Sequence, residues 1–219
     1  MPQAQAEVAR ASKKMEDGRG KMEDRLLVIH DGRHLPSALT SHLSPLTTEI
    51  EIDAHMAFGT GTHETTRMIC GQLLSMNLEG KRVLDCGCGT GILGICALKL
   101  GAASCVGYDI DEWSTDNTRH NAVINHVDDR LEALCGDATL LSTFAAEFDL
   151  VLANINRNIL LQDMERFVSV MASDATLILS GFYQADCQML EEKAQTLGLH
   201  LSSIKNDGDW ACCQFKRTR

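Results

Sequence analysis

From residue 47 onward, short apolar bursts alternate with longer stretches of helical texture. Glu49-Ile50-Glu51-Ile52 alternates with the two-residue period of a half-buried strand. Residues 64–76 carry Ile69, Leu73 and Met76 at helical spacing. Strand-like runs follow at 83–86, 104–108, 131–134, 148–153, 176–179, 199–204 and 211–215. Between them, 92–100, 113–125, 159–171 and 187–197 read as helices, and Leu160, Met164, Phe167 and Met171 form one apolar stripe. Strands that alternate with helices at this spacing predict βαβ units and a parallel sheet covered on both faces. The last two strands have no helix between them, and Asn206-Asp207-Gly208-Asp209 is a turn signal. They are expected to form an antiparallel hairpin at one edge. The predicted fold is α/β, a doubly wound, mainly parallel, seven-stranded sheet with a reversed C-terminal edge strand.

The first part of the chain has a different texture. Residues 1–25 are polar, with Lys14-Met15-Glu16-Asp17 nearly repeated at Lys21-Met22-Glu23-Asp24, and Gly18 and Gly20 interrupt any helix there. A short apolar run at 26–29 precedes a stretch rich in Gly, Pro, Ser and His. Residues 1–45 read as a tail and linker with one strand, and 46–219 as the folded domain.

Composition narrows the function classes. The chain has 219 residues, 44% of them hydrophobic, with 20 Lys and Arg against 30 Asp and Glu for a net charge of −10. That balance argues against a direct nucleic-acid binder, because phosphate contacts need clustered cations. The apolar runs fall far short of the ~20 residues a membrane span needs. Nine cysteines, an odd number without zinc-finger or CxxC spacing, read as reduced and mostly buried thiols of a cytoplasmic protein. Cys212 and Cys213, adjacent on one strand, should point to opposite faces.

Chemistry concentrates at Asp85-Cys86-Gly87-Cys88-Gly89-Thr90-Gly91-Ile92-Leu93-Gly94, a glycine-rich turn between a strand and a helix. Glycines let a backbone approach a ligand closely, and a helix N-terminus offers N–H groups to an anion. Gly89, Gly91 and Gly94 also fit GxGxxG, and a tight turn without ligand fits as well. Asp109 closes the next strand, 22 residues after Gly87, where a carboxylate accepts from ribose hydroxyls. These features indicate an adenosine-containing cofactor without separating NAD from S-adenosylmethionine.

The wide Gly87-x-Gly89-x-Gly91 loop suits an aminoacyl tail better than a pyrophosphate. Asn154, ending the fourth strand, offers an amide oxygen to a substrate amine. Asp137, after the third strand, stands where an adenine amino group finds an acceptor, or is a plain loop aspartate. Asp111 reads as a helix cap. Asn117, Asn121 and Asn125 share one helix face and read as surface or local hydrogen bonding. His63-Glu64 lacks the second histidine of HExxH, since Arg67 stands there, and no metal site is expected.

The glycine loop, the acidic end of the second strand and the asparagine ending the fourth resemble the class I S-adenosylmethionine-dependent methyltransferases. Met56-Ala57-Phe58-Gly59-Thr60-Gly61-Thr62-His63-Glu64-Thr65-Thr66 is similar to the signature of the ribosomal protein L-eleven methyltransferase family. So are Leu98-Lys99-Leu100-Gly101-Ala102, Ala153-Asn154-Ile155 and Leu179-Ser180-Gly181-Phe182. The resemblance implies methylation of lysine and N-terminal amines of a ribosomal protein. It places the cofactor against Thr66, Gly87, Asp109 and Asn154, to which the loop readings above add Gly89 and Asp137, and Phe58 beside the methyl group and acceptor amine, with Asn154 and Phe58 as the catalytic pair. Family members usually carry a separate N-terminal domain that docks the ribosomal protein; 1–45 is too short to be that domain. A methyltransferase with another substrate, a cofactor-binding module without activity, and an NAD oxidoreductase stay open.

Overall fold

A computed structural model of the chain describes residues 7–14, 22–31, 47–54 and 59–217. The seven-stranded sheet contains β4 (Arg82–Cys86), β5 (Ser104–Asp109), β6 (Leu131–Cys135), β7 (Phe148–Asn154), β8 (Met171–Tyr183), β9 (Leu199–Asp207) and β10 (Trp210–Arg217). Their order is β6-β5-β4-β7-β8-β10-β9. The first five run parallel, and β10 pairs antiparallel with both β8 and β9. The expected hairpin therefore forms one edge of the sheet, with the reversed strand inserted between β8 and β9.

Successive residues of these strands bury on opposite faces. Val83, Leu150, Leu152, Ile178 and Cys212 join one core; Leu84, Val151, Leu177, Leu179 and Cys213 join the other. The adjacent cysteines thus separate as a strand's two-residue period requires. Helices α1 (Glu64–Ser75), α2 (Ile92–Lys99) and α3 (Glu112–Ile124) lie on the first face. Helices α4 (Arg157–Ser169) and α5 (Cys187–Thr196) cover the second, where Leu160, Met164 and Phe167 are fully buried. The stripe expected through Met171 is cut there: Val170 caps α4, and Met171 opens β8 opposite Phe148. Apolar spacing cannot mark that boundary, because Met171 is buried in either state.

The first 45 residues hold more structure than the single strand expected of them. β1 (Glu7–Lys14) pairs antiparallel with β2 (Met22–His30), and β2 pairs parallel with β3 (Thr47–Glu51) in a separate three-stranded sheet. β1 has no apolar alternation to announce it; backbone pairing with β2 makes it a strand. Leu27, Ile29, Ile50 and Ile52 bury in the same core as Ile69 and Leu73 of α1.

Candidate active site

The carboxyl ends of the parallel strands open into a cavity of about 1140 Å³. Ligands of open α/β sheets bind at that end, near the point where strand order reverses, here between β4 and β7. Of the expected site residues, Thr66, Gly87, Gly89, Asp109, Asp137 and Asn154 all line this one cavity. Phe58 lies outside the described residues.

Close approach shapes the floor. Gly87 has φ +71°, and a Cβ there would meet Ile155 Cγ2 at 2.4 Å. Only glycine lets the β4 turn and the segment after β7 meet. Its N–H and that of Cys88 donate to Tyr108 O at 2.8 and 3.0 Å, and Gly89 N–H donates to Asp109 Oδ2 at 3.0 Å. The loop's N–H groups therefore fix its own shape rather than waiting for a ligand. Thr90 Oγ1 donates to Gly59 O at 2.7 Å, tying the 59–62 loop over the turn.

Each carboxylate has its own setting. Asp109 accepts from Gly89 and, through Oδ1, from Asp111 N–H at 3.1 Å, which leaves lone pairs for ribose hydroxyls. Asp111 caps α3, accepting from Trp113 N–H at 3.1 Å. Asp137 caps the short 3-10 turn Ala138–Thr143, and hydrogen bonds from the Thr139 hydroxyl and N–H hold its carboxyl below the ordinary range. It is thus a charged acceptor at neutral pH.

Asp85, beneath the floor, behaves differently. Burial pushes its pKa up to about 7, against the pull of the Gly94 N–H on Oδ2, and the Asp109 charge adds to the rise. Its Oδ1 has no hydrogen-bond partner among the described residues. The Cys86 and Cys88 thiols are likewise pushed up by burial and stay neutral, so neither is a nucleophile.

Asn154 ends β7 with its amide on the cavity and no hydrogen-bond partner among the described residues. It is opposite Ser180 of β8, and the next residue, Gly181, also lines the cavity with φ +90°. A Cβ on Gly181 would meet Ile155 O at 2.5 Å, so β8 and the segment after Asn154 are pressed together there. The sequence did not single out Trp210, Ile110, Ile159 or the Asp163–Arg166 pair, all of which line the cavity. A lone tryptophan directly after a turn was the one available signal.

The comparisons with known proteins agree with one another. Residues 30–218 match the model of a family described as Ribosomal protein L11 methyltransferase (PrmA). The chain belongs to this family. A ribosomal protein L11 methyltransferase of Porphyromonas gingivalis is 47% identical over 195 residues, covering 89% of this chain and 64% of the relative. One from Bacteroides thetaiotaomicron is 43% identical over 194 residues, covering 88% of this chain and 66% of the relative. The chain thus spans about two-thirds of the length of these family members. A crystal structure of the ribosomal protein L11 methylase of Lactobacillus delbrueckii subsp. bulgaricus superposes with a TM-score of 0.77 at 25% identity, covering 88% of this chain and 95% of that one. The seven-stranded architecture is therefore the family's own. No helix of the described residues is long and apolar enough to cross a membrane.

Proposed function

We propose that this protein transfers a methyl group from S-adenosylmethionine to lysine side-chain or N-terminal amines of a ribosomal protein in the cytoplasm, with 46–219 as the catalytic unit. The observation that carries this reading is the charge of the cavity lining. Glu64, Asp109, Asp111, Asp137 and Asp163 surround it, while the one guanidinium among the described lining residues, Arg166, is held by Asp163 at 2.6 Å. A pyrophosphate would meet carboxylates on every side, whereas a sulfonium cation, ribose hydroxyls and an exocyclic amine are matched by them. The dinucleotide alternative is disfavoured on the same ground. Membership of the ribosomal protein L11 methyltransferase family supports the same choice.

In this reading Asp109 takes the ribose hydroxyls and Asp137 the adenine amino group, beside Ile110 and Ile159. Thr66 and the Gly87–Gly89 turn enclose the aminoacyl end. When bound, the sulfonium would supply an electrophilic methyl carbon to the lone pair of the acceptor nitrogen, its sulfur taking the electron pair of the broken C–S bond. The nitrogen then carries a positive charge and loses a proton to water. Before attack it must be neutral, and a lysine near pKa 10.4 is almost wholly protonated at pH 7. Desolvation within the cavity favours the neutral amine, while the carboxylates of the lining pull the other way. Asn154 accepts a hydrogen bond from the amine and aims the lone pair at the methyl carbon, with the 59–62 loop bordering the same cavity.

Incubation with methyl-labelled S-adenosylmethionine and purified large-subunit protein eleven tests the proposal. Label should enter the protein, and Asn154→Ala should lower kcat about 100-fold, the scale set by lost positioning. Absence of transfer to any amine, or an unaltered kcat in the variant, contradicts the function or the role of Asn154 respectively.

A further inference from the structure

Asn154 presents its amide to the cavity with no hydrogen bond among the described residues to orient it, so its direction is set by the backbone that carries it. Only Ile155 and Asn156 separate it from α4. This short link is gripped at Ile155, which lies between Gly87 on the β4 side and Gly181 on the β8 side. At its far end Asn156 caps α4, its Oδ1 accepting from Asn158 N–H at 2.9 Å. One long-range polar contact completes the set. Arg157, the first residue of α4, donates through Nη1 to Asp186 Oδ1 at 2.6 Å.

The pair is built for orientation. Asp186 directly precedes α5, where an aspartate ordinarily accepts from the N–H groups of its own helix. It makes no such bond. Oδ1 takes Arg157 instead, and Oδ2 accepts from Tyr183 N–H at 3.2 Å. Arg157 Nε and Nη2 both donate to Asn158 Oδ1, at 3.1 and 3.0 Å. A planar guanidinium held along two edges cannot turn freely. The Asp186 side chain is 15% exposed and that of Arg157 39%, so solvent weakens the attraction without abolishing it.

Together these contacts close a ring. Asn154 is opposite Ser180 of β8, β8 runs on to Tyr183, Tyr183 is tied to Asp186, and Asp186 returns to Arg157, three residues after Asn154. Opening the ring at Asp186 frees the start of α4 from the β8–α5 connection and leaves the link after Asn154 to its local contacts alone. Near a reacting atom such freedom is costly, since a misplacement of about 1 Å can cost about 100-fold in rate.

We propose that Arg157 and Asp186 are positioning residues for methyl transfer, their ion pair fixing the direction in which Asn154 meets the acceptor nitrogen. Neither is among the described residues that line the cavity, so both act through Asn154 rather than on cofactor or acceptor. The inference rests on the role given to Asn154 in the amine-methylation reading, and its test separates the two. Sinefungin carries an amine in place of the transferred methyl, so its affinity relative to S-adenosylhomocysteine reports the reach of Asn154 without turnover. By calorimetry the parent should prefer sinefungin about tenfold, the worth of one hydrogen bond to a charged amine, and Asn154→Ala should lose that preference. Asp186→Ala and Arg157→Ala should lose most of it as well, with S-adenosylhomocysteine bound as in the parent. In either variant kcat should fall about tenfold with KM for S-adenosylmethionine unchanged, and Asp186→Asn, which keeps an acceptor for Arg157, should restore most of it. The double variant should be no slower than either single one, and Asp186→Ala should add nothing to Asn154→Ala. A parent-like kcat and sinefungin preference in Asp186→Ala, beside losses in Asn154→Ala, overturns the inference and leaves the role of Asn154 standing. So does a fall in S-adenosylhomocysteine affinity that matches the fall for sinefungin, since that marks a loosened cavity rather than a misaimed amide. An Asn154→Ala protein that keeps both kcat and preference removes the role of Asn154, and this inference with it.

Discussion

Asp85 shows how one buried carboxyl leaves a mark on stability. Its pKa rises to about 7 in the folded protein, because burial outweighs the single Gly94 hydrogen bond. An unfolded aspartate ionises near 3.9, so between about pH 4 and 7 the folded chain holds a proton that the unfolded chain has released. Stability therefore falls as pH rises through that window and levels off above it. Asp85→Asn should flatten the slope and give a protein more stable than the parent at pH 8, by about 2 kcal/mol or more. Urea unfolding at pH 4, 6 and 8 measures this; parallel curves for parent and variant would show that Asp85 is charged in the fold. Asp137, on the cavity lining, goes the other way under its two Thr139 hydrogen bonds. One acid is thus part-protonated near neutral pH and another charged as an acceptor, a division set by environment alone.

At the scale of elements, the three asparagines of the α3 face do more than cover a surface. Asn117, Asn121 and Asn125 are all buried. Asn117 donates to Asp53 O at 2.8 Å, and Asn121 accepts from Asp53 N–H at 3.0 Å while donating to Thr90 O at 2.9 Å. Asn125 accepts from Glu51 N–H at 3.0 Å and donates to Glu51 O at 2.6 Å. The helix face thus holds the 51–53 backbone as a partner strand would, and anchors it beside the glycine turn. Asn121→Ala would strip partners from the Asp53 N–H and the Thr90 carbonyl in a closed interior. The expected loss is about 3 kcal/mol, one to two unsatisfied groups' worth, visible as a lower urea midpoint with an unchanged slope. A loss within about 0.5 kcal/mol, ordinary for a surface change, would mean the ladder is dispensable. The four-residue spacing was plain in the sequence; its burial was not, because the partners lie in segments more than 30 residues away.

Over the whole molecule, an acidic chain carries its cavity charge in keeping with its net −10. A ligand that binds only the folded state stabilises it by about 2.7 kcal/mol at a hundredfold excess over Kd. For a chain of this length that is roughly a 5–10 °C rise in Tm. S-adenosylmethionine should produce that rise in a thermal scan and NAD should not; the reverse pattern would remove the cofactor assignment. The order of strands and helices from 82 to 217, the two buried faces and the positions of Gly87, Asp109 and Asn154 at strand ends were all legible along the chain, because periodicity and turn residues are local properties. The helix–strand change at Met171 was not, since burial there satisfies both states. Nor was β1, which exists by pairing with β2, or the insertion of β10 between β8 and β9. Contact of His63 with Trp210 on the cavity lining, and of Arg157 with Asp186, was equally invisible. Pairing partners, burial of polar groups and contacts across well over 100 residues of chain depend on which segments meet, and only the folded chain brings those segments together.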